Sequence, residues 1–551
     1  MSKEVEERFN KSVIDTQVRA GVMKAALIDP QFSGNQAYIS DLTKRDQAIG
    51  DAAMQSPLYS SMGEELGRRQ ALSDASAIRE YTATHNALPG DDLLAAAHGA
   101  LENLFSNNQA LADSAGTGML LSSMSESNLS SEKGVAIRAT TAALTLPTLL
   151  ANPMNAIVSY LPVKKYETEI FNIERIAGKT LGDFKKNQVI DELSFGQYSN
   201  QRQRYIFAGD QLPDGTKKAF TFSAIANTPA KIAMPVRAGS VKVYVNRDCK
   251  EPIKQIDGGD LYGVVTFADV KIVISGTVDV ETCAIAIETD KALPSGVVLH
   301  AEFEVDIESN SDLIPTVNHR MTSHKFRPAS RVIGADASIM AMFAMNTEFG
   351  VDINSTNLAS MRTWLANERA LKQLDDLMFF VQELREFDAQ VPTDGNETWQ
   401  TRFEYIKSLF LEISQHFINT NKESGLKGLY CGTLFSTFIK MLPSSLFQLT
   451  PGYTQTTQIH FVGTLLGNIK IFEVPFTNLV PADKALAYSR TDKLGKAPYF
   501  TGDVISPTLY SHDVDKSLNK ANTLWAHGYD NAAPDCDKFL CLITLKNFVA
   551  G

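Results

Sequence analysis

The apolar residues of this chain change their spacing near residue 320. Upstream they alternate with polar residues along one stretch, with Val297, Leu299, Ala301, Phe303 and Val305 set against His300, Glu302, Glu304 and Asp306. Downstream they recur at steps of three and four residues, at Leu358, Met361, Trp364, Leu371, Leu374, Met378, Val381 and Leu384. The first pattern predicts a half-buried antiparallel strand and the second a long amphipathic helix. We therefore expect an α+β fold.

The length of the chain, 551 residues, exceeds what one hydrophobic core can serve, so we expect several lobes. Residues 1–130 are rich in Ala, Ser, Gln and Asn, with short helical patterns such as Leu93, Leu94, Ala97 and Leu101. This composition predicts a segment without a large core of its own. Such a segment either lies along another surface or serves as a removable internal piece.

A polar stretch followed by a strand pattern predicts a projecting arm. The sequence from Gly178 to Asp210 is polar, and Phe220 and Phe222 alternate with polar residues after the turn signal Pro213-Asp214-Gly215. We expect an extended loop over 173–227 that needs a neighbouring chain for support. The alternating valines Val241, Val243 and Val245 then begin a β-rich insertion domain at 228–320.

The second half of the chain mixes helices and strands. After the long helix, a further helix carries Trp399, Phe403, Ile406, Phe410, Ile413 and Phe417 on one face, and we interpret this stripe as core packing. A short strand at Leu429-Tyr430-Cys431 precedes a helix that stops at Pro443. Paired strands around His460–Gly463 and Ile469–Phe472 follow, and Phe539–Leu545 is the last strand candidate.

Charge and cysteine usage exclude several classes of protein. The net charge is −11 and no Lys/Arg-rich block occurs, which argues against a tight nucleic-acid binder. Five scattered cysteines suit buried thiols in a reducing compartment, and Cys536 and Cys541 are the only close pair.

The charged start, from Met1 to Arg8, predicts cytoplasmic synthesis without a signal peptide. The apolar window 144–161 contains Pro147 and Pro153, so we interpret it as a buried segment and expect no membrane span.

No sequence motif indicates catalysis. The chain lacks the glycine-rich nucleotide loops, the H-E-x-x-H zinc motif and the G-x-S-x-G elbow. The oxygen-rich run Asp306-x-Glu308-x-Asn310-x-Asp312 resembles a calcium loop but lacks its turn glycine and bidentate glutamate, so the polar end of a strand explains it better. His319 with His324, and His512 with Asp513 and Asp515, show no convincing ligand or acid–base pattern. We expect no catalytic residue, metal ion or cofactor.

Several stretches, taken in their order, resemble a known family. They are Gly276-Thr277-Val278-Asp279, Phe303-Glu304-Val305-Asp306-Ile307-Glu308, Ile314-Pro315, Phe326-Arg327-Pro328-Ala329-Ser330-Arg331-Val332, the helical run Ala335–Phe349, His460-Phe461-Val462-Gly463-Thr464-Leu465, Gly467-Asn468-Ile469-Lys470-Ile471-Phe472, Val474-Pro475 and Ala497-Pro498-Tyr499-Phe500. Over residues 140–551 the chain resembles the HK97-like major capsid proteins of tailed bacteriophages, in the version with a β-rich insertion.

The resemblance implies a domain layout. It consists of an N-terminal arm or scaffold-like segment at 1–130, the start of a peripheral domain at 131–172, the extended loop at 173–227, the β-rich insertion domain at 228–320, the peripheral domain with the long spine helix at 321–424, an axial domain at 425–505 and a return to the body at 506–551. Glu126 and Glu132 are candidate sites for a maturation cleavage of the first segment.

The resemblance also implies a function. We expect a structural protein that self-assembles into hexamers and pentamers of an icosahedral head, built in the bacterial cytoplasm and ending in the virion. Its partners would be a portal, a scaffold or maturation protease and decoration proteins, with packaged double-stranded DNA held only loosely and without a membrane. A tail-sheath or tail-tube subunit and, from another class, a hydrolase with an unrecognised site remain alternatives.

Overall fold

A computed structural model describes residues 3–548, except for 34–36, 86, 106–141, 144, 162–167, 192–193, 195, 247–251, 257–258, 268–269, 309, 351–352, 391–397, 477, 492–495 and 513–517. The chain divides into two compact units. Unit 1 comprises residues 173–322, and unit 2 comprises residues 2–172 together with 323–551. Unit 1 is therefore an insertion in the sequence of unit 2. Helices and sheets both contribute substantially, so the predicted α+β class is confirmed.

The elements are numbered in chain order. The helices are α1 (Lys3–Leu27), α2 (Leu42–Gln55), α3 (Pro57–Ser60), α4 (Glu64–His85), α5 (Asp91–Phe105), α6 (Ala224–Asn227), α7 (Ile339–Phe349), α8 (Ile353–Phe380), α9 (Trp399–Glu404), α10 (Ile406–Asn421) and α11 (Thr433–Lys440). The strands are β1 (Val158–Tyr160), β2 (Thr168–Ala177), β3 (Arg202–Ile206), β4 (Ala219–Ser223), β5 (Lys242–Val245), β6 (Ile253–Gln255), β7 (Asp260–Phe267), β8 (Val270–Asp279), β9 (Ala284–Thr289), β10 (Leu299–Glu304), β11 (Val317–Phe326), β12 (Ala329–Ser338), β13 (Glu383–Asp388), β14 (Gly428–Cys431), β15 (Phe447–Leu449), β16 (His460–Leu465), β17 (Ile469–Glu473), β18 (Lys484–Tyr488), β19 (Tyr499–Ser511), β20 (Asn519–Ala532) and β21 (Leu540–Lys546).

Eight strands of unit 1 form an antiparallel sheet, here called the insert sheet, in the order β3-β10-β5-β6-β7-β8-β9-β4, while β2 and β11 pair with each other in a separate two-stranded sheet. Buried apolar side chains from these strands form the hydrophobic core of unit 1; they include Phe222, Val243, Ile274 and Phe303. The predicted alternation around Phe303 and along Phe220 and Phe222 is confirmed by their burial. Apolar residues at every second position bury one face of a pleated sheet, and this burial stabilises the unit.

The structure corrects the predicted boundary inside unit 1. We expected an unsupported extended loop at 173–227, separate from a β-rich domain at 228–320. Instead, β3 pairs with β10 and β4 pairs with β9. The predicted loop therefore supplies both edge strands of the insert sheet. The stretch is polar because β3 alternates buried with exposed residues, as Arg202 and Arg204 show on its exposed side.

The N-terminal helices of unit 2 have a core, contrary to the prediction for residues 1–130. Buried residues from α1 to α5 pack together with residues from β1 and the segment that precedes it; they include Met23, Leu27, Ile49, Tyr59, Ala71, Leu94, Leu101, Leu146, Leu149 and Tyr160. Many of the buried positions are alanines, so a count of large apolar residues underestimates this core. The suggested cleavage sites Glu126 and Glu132 lie outside the described residues.

The long helix α8 packs in a core with the sheet β1-β19-β20-β12, here called the long-strand sheet. Met361, Leu365, Leu374 and Leu377 of α8 are buried. The predicted stripe is partly confirmed, since Met361 and Leu374 lie on it. Trp364, however, is 63% exposed, and α8 ends before Leu384, which belongs to β13. Residues 335–338, predicted to be helical, complete β12.

The remaining strands form a sheet with parallel and antiparallel pairs, here called the mixed sheet, in the order β13-β21-β18-β14-β17-β16-β15. The predicted stripe is divided between two helices. Ile406, Phe410, Ile413 and Phe417 of α10 pack in the core of this sheet, which confirms the core role for these four residues, whereas Trp399 and Phe403 belong to α9. The sheet draws on three predicted domains, because β13, β14 and β21 come from 321–424, 425–505 and 506–551. One sheet therefore joins strands from all three of these predicted domains.

Candidate functional site

A buried cation fixes the long helix to the long-strand sheet. Arg369 of α8 lies between two carboxylates, with its Nε 3.1 Å from Asp530 Oδ1 and its Nη2 3.1 Å from Asp503 Oδ1. All three side chains are almost completely buried. Charges taken out of water are stable only when they are paired and hydrogen-bonded, so this arrangement allows little movement of α8.

Polar side chains extend this cluster, here called the Arg369 network. Arg331 of β12 and Thr501 of β19 both contact Asp530. Gln373, one turn after Arg369, donates to Asp530 Oδ1 at 2.8 Å and accepts from Asn152 Nδ2 at 3.1 Å. The network thus ties α8 to several strands and to the segment before β1.

A second ion pair holds helix α5 against the segment around β1. Asp92 Oδ2, in the first turn of α5, accepts from Arg490 Nη2 at 2.7 Å and from the Tyr160 backbone N–H at 2.8 Å. Arg490 also donates to the Asn155 carbonyl at 2.7 Å. Because both charged side chains are about 15% exposed, the pair is largely shielded from water. The N-terminal helices are therefore bonded to the rest of unit 2 by more than apolar packing.

A buried carboxyl lies among the N-terminal helices, and its hydrogen-bond partners in the described part of the chain are neutral side chains. Asp74 accepts hydrogen bonds from Tyr59 Oη at 3.0 Å and from Gln70 Nε2 at 2.9 Å. Burial raises the pKa of Asp74 to about 7, although both hydrogen bonds act in the opposite direction. Near neutral pH this group can therefore gain or lose a proton.

A cluster of polar groups surrounds Glu473 in the mixed sheet. Ser436 donates to Glu473 Oε2 at 2.9 Å, Gln455 donates to Oε1 at 3.1 Å, and Lys440 forms an ion pair with it. Burial acts to raise the pKa of Glu473, but the hydrogen bonds from Lys440 and Ser436 outweigh it and keep the pKa below its usual value. Every partner is a donor to a carboxylate, which is the arrangement of a satisfied structural ion pair.

Apolar side chains remain exposed on α7 and on α8. Not one residue of α7 is buried, and Met340, Phe343 and Phe349 are 73%, 69% and 68% exposed. At the far end of α8, Phe379 is 80% exposed. Large exposed apolar patches mark interaction surfaces. Sequence reasoning missed them because an apolar helix such as α7 is ordinarily interpreted as buried.

The structure does not gather the other residues singled out in the sequence into one site. His319 and His324 are exposed on β11. Asp306 accepts from the Glu308 N–H, and Asn310 caps a short 3-10 turn, so this run closes local turns. Cys536 and Cys541 are free, buried thiols, whereas Asp513, Asp515 and Cys249 lie outside the described residues.

The described part of the chain contains neither a cluster of metal-ligating side chains nor a membrane-spanning helix. Within it, no group of three or more His, Cys, Asp or Glu side chains is placed to hold a metal ion. None of the described helices has the length and apolar character needed to cross a bilayer. The window 144–161, predicted to be a buried segment, supplies Leu146, Leu149, Val158 and Tyr160 to the cores, which confirms that prediction for its described residues.

Residues 3–152 match a family described as a domain of unknown function, DUF8615. The chain is also similar to protein IncB of Escherichia coli, with 23% identity over 172 residues, a stretch that covers 31% of this chain and 83% of IncB.

Solved structures similar to this chain include a chain of the icosahedrally averaged capsid of the jumbo bacteriophage PhiKZ, with 9% identity, 70% of this chain and 90% of that chain covered, and a TM-score of 0.34. The capsid of the Myoviridae phage XM1 has 9% identity, coverage of 52% and 86%, and a TM-score of 0.29. The SrpI encapsulin of Synechococcus elongatus has 9% identity, coverage of 41% and 77%, and a TM-score of 0.28.

Proposed function

We propose that this chain is a major capsid protein of the HK97-like type. Many copies assemble into hexamers and pentamers that close into an icosahedral phage head around double-stranded DNA. In this role the chain is a structural protein and not an enzyme, and its place is the virion.

The order of the elements carries the proposal. N-terminal helices precede β1; the strands β2 and β11 then enter and leave an inserted β unit; β12 and the long helix α8 follow; the mixed sheet comes last and is closed by β21. This is the order that the sequence resemblance implies for a capsid subunit, including the spine helix and the β-rich insertion.

The mechanics of unit 2 suit a subunit of a shell. The Arg369 network holds α8 rigidly, while Phe343 of α7 and Phe379 of α8 remain exposed in the single chain. A subunit with a fixed backbone and uncovered apolar patches can bind its neighbours without reorganising, which lowers the entropic cost of assembly. Closing a shell then makes each further contact intramolecular, so modest interfaces give a durable particle.

The charge of the chain fits a container for DNA. With a net charge of −11, the protein would not bind packaged DNA tightly. We propose that DNA is held only loosely, and that the assembly partners are further copies of the chain, a portal, a scaffold or maturation protease and decoration proteins.

Expression of the full chain in bacteria tests the proposal. The purified protein should sediment as large particles, and electron microscopy should show closed, roughly spherical shells. Tubes of constant diameter would instead support a tail-sheath or tail-tube subunit. A chain that stays monomeric at high concentration, with and without co-expressed scaffold and portal proteins, would contradict the proposal.

A further inference from the structure

Helix α7 has the composition of a core helix but the exposure of a surface helix. Its sequence from Ile339 to Phe349 is IMAMFAMNTEF, and none of its residues is buried. Its ends are well formed, since Ser338 Oγ accepts from the Ala341 N–H at 3.2 Å and Gly350 adopts a left-handed conformation at the C-terminus. The helix is thus a defined element that the described part of its own chain does not cover.

Such a helix needs a covering surface. A helix of 11 residues is marginal in water when it stands alone, because most helical stability in proteins comes from packing of an apolar face. The apolar side chains of α7 leave a patch of the kind that marks a protein contact.

The charge of α7 restricts what can cover it. Glu348 is the only charged residue of the helix, and it is an acid. Binding to a nucleic acid or to an anionic membrane surface relies on Lys and Arg, which α7 lacks. The covering surface is therefore an apolar patch on a protein.

The same chain offers a second uncovered apolar patch. It consists of Phe379, Phe380 and Leu384, at the end of α8 and the start of β13, and Phe379 is its most exposed member. The helix α8, with 28 residues, is about 42 Å long. Because α7 directly precedes α8, the two patches lie at opposite ends of this helix and cannot meet within one chain.

We propose that α7 of one copy docks on the Phe379–Phe380–Leu384 patch of the next copy. The inference rests on the proposed function, since it assigns one of the contacts by which copies join. A contact between two different patches is heterologous, so it repeats from copy to copy and closes into a ring when the rotation allows. This is the geometry that a capsomer requires.

The size of the patch favours a partner that is held by other contacts as well. An α7 cylinder about 16 Å long and about 10 Å wide offers far less than the roughly 800 Å² per partner of a stable isolated interface. The contact is therefore weak between two free chains. It becomes effective when neighbouring copies are already held together in a closed shell.

A double substitution tests the contact in the full chain. Phe343→Ser with Phe349→Ser removes two exposed aromatic side chains, so thermal unfolding of the chain should be unchanged while the yield of particles falls roughly tenfold or more, as expected when interface anchors are lost. Leu449→Ser is the matched control, because Leu449 is an exposed apolar residue of β15 outside both patches; it should assemble like the wild type.

The outcomes separate the contact from the proposed function. Normal particles from the double variant would overturn the contact and leave the proposed function standing. A wild-type chain that forms no particles would contradict the proposed function and, with it, the contact.

Cross-linking tests the pairing of the two patches. Chains with Phe343→Cys and chains with Phe379→Cys are mixed, assembled and treated with a short bismaleimide, and wild-type particles set the background. A cross-linked dimer that contains one chain of each kind is the expected result. Efficient cross-linking of Phe343→Cys chains to one another, without the mixed dimer, would show a two-fold contact between α7 helices and overturn the proposed pairing.

Discussion

The backbone N–H of Gly178 donates a hydrogen bond of 2.7 Å to the carbonyl oxygen of Thr316. Gly178 directly follows β2 and Thr316 directly precedes β11, so the inserted part of unit 1 begins and ends at adjacent points. A Cβ atom at position 178 would lie 2.2 Å from Thr316 Oγ1 and 3.0 Å from the Thr316 carbonyl oxygen, so glycine fits this close approach without displacing Thr316. An insertion with adjacent ends can be removed without stretching the chain that carries it.

The first prediction concerns this insertion. Replacing residues 179–315 by Asn-Gly should join β2 and β11 as a tight hairpin and leave unit 2 folded, with its unfolding temperature changed by no more than about 5 °C. Scanning calorimetry of the shortened and full chains measures this. An unfolded or aggregated product would contradict it. A smaller deletion, of residues 178–210, would not test the same point. It would remove β3 with the buried Tyr205 and so damage the core of unit 1.

The second prediction concerns the Arg369 network. Arg369→Met leaves the buried carboxylates of Asp503 and Asp530 without this cation, so it should lower the free energy of unfolding by about 3 to 5 kcal/mol. Urea denaturation checks the value. Lys372→Met is the control on the same helix, since Lys372 is 61% exposed and its ion pair should contribute less than about 1 kcal/mol. Equal effects of the two substitutions would argue against a fixing role for Arg369.

The third prediction compares two neighbouring acids at the start of α5. Asp92→Ala removes the partner of Arg490 and of the Tyr160 N–H, and should destabilise the chain by about 2 to 3 kcal/mol. Asp91→Ala removes an exposed pair with Lys24 and should cost less than about 1 kcal/mol. Hydrogen exchange along α5 reports the difference, with faster exchange expected for Asp92→Ala alone. Unchanged exchange in both variants would mean that the ion pair does not hold the helices in place.

The fourth prediction concerns pH and Asp74. The pKa of Asp74 rises from 3.8 to about 7 on folding, so the unfolded chain loses its proton at a lower pH than the folded chain. Its contribution to stability is therefore complete below pH 3.8 and is lost as the pH rises to about 7. By pH 8 the loss should reach up to about 4 kcal/mol, at 1.36 kcal/mol for each pKa unit.

Asp74→Asn tests this prediction, because the amide stays neutral and nearly preserves the shape of the side chain. Relative to the variant, the wild type should lose stability between about pH 4 and pH 7, as measured by urea denaturation across that range. Asp51→Asn on α2, where the replaced side chain is 53% exposed, is the control for an Asp-to-Asn exchange away from the buried site. A flat curve for Asp74→Asn would contradict the role assigned to burial.

Local periodicity was enough to predict many of the elements. The alternation around Phe303 predicted β10, the stripe through Met361 and Leu374 predicted α8, and the spacing of Phe410, Ile413 and Phe417 predicted α10. These predictions hold because a strand or helix that buries one face must repeat its apolar residues with the period of its backbone. The α+β class follows from the same patterns.

Pairing between distant residues was beyond such reasoning. The strand β13 pairs with β21, joining Glu383 to Cys541, and β3 pairs with β10, joining Arg204 to Glu302. The sequence contains no local signal for which strands become neighbours, so the predicted domain boundaries fell inside both sheets.

The exposure of α7 and the ion pairing of Arg369 depended on tertiary structure. The sequence by itself determined that α7 would be apolar and that α8 would be long and amphipathic, because side-chain chemistry and helical spacing are local properties. Only the tertiary structure decided that α7 is exposed and that Arg369 is buried between Asp503 and Asp530. Exposure and ion pairing depend on which surfaces the folded chain brings together, and that is settled by packing between elements far apart in the sequence.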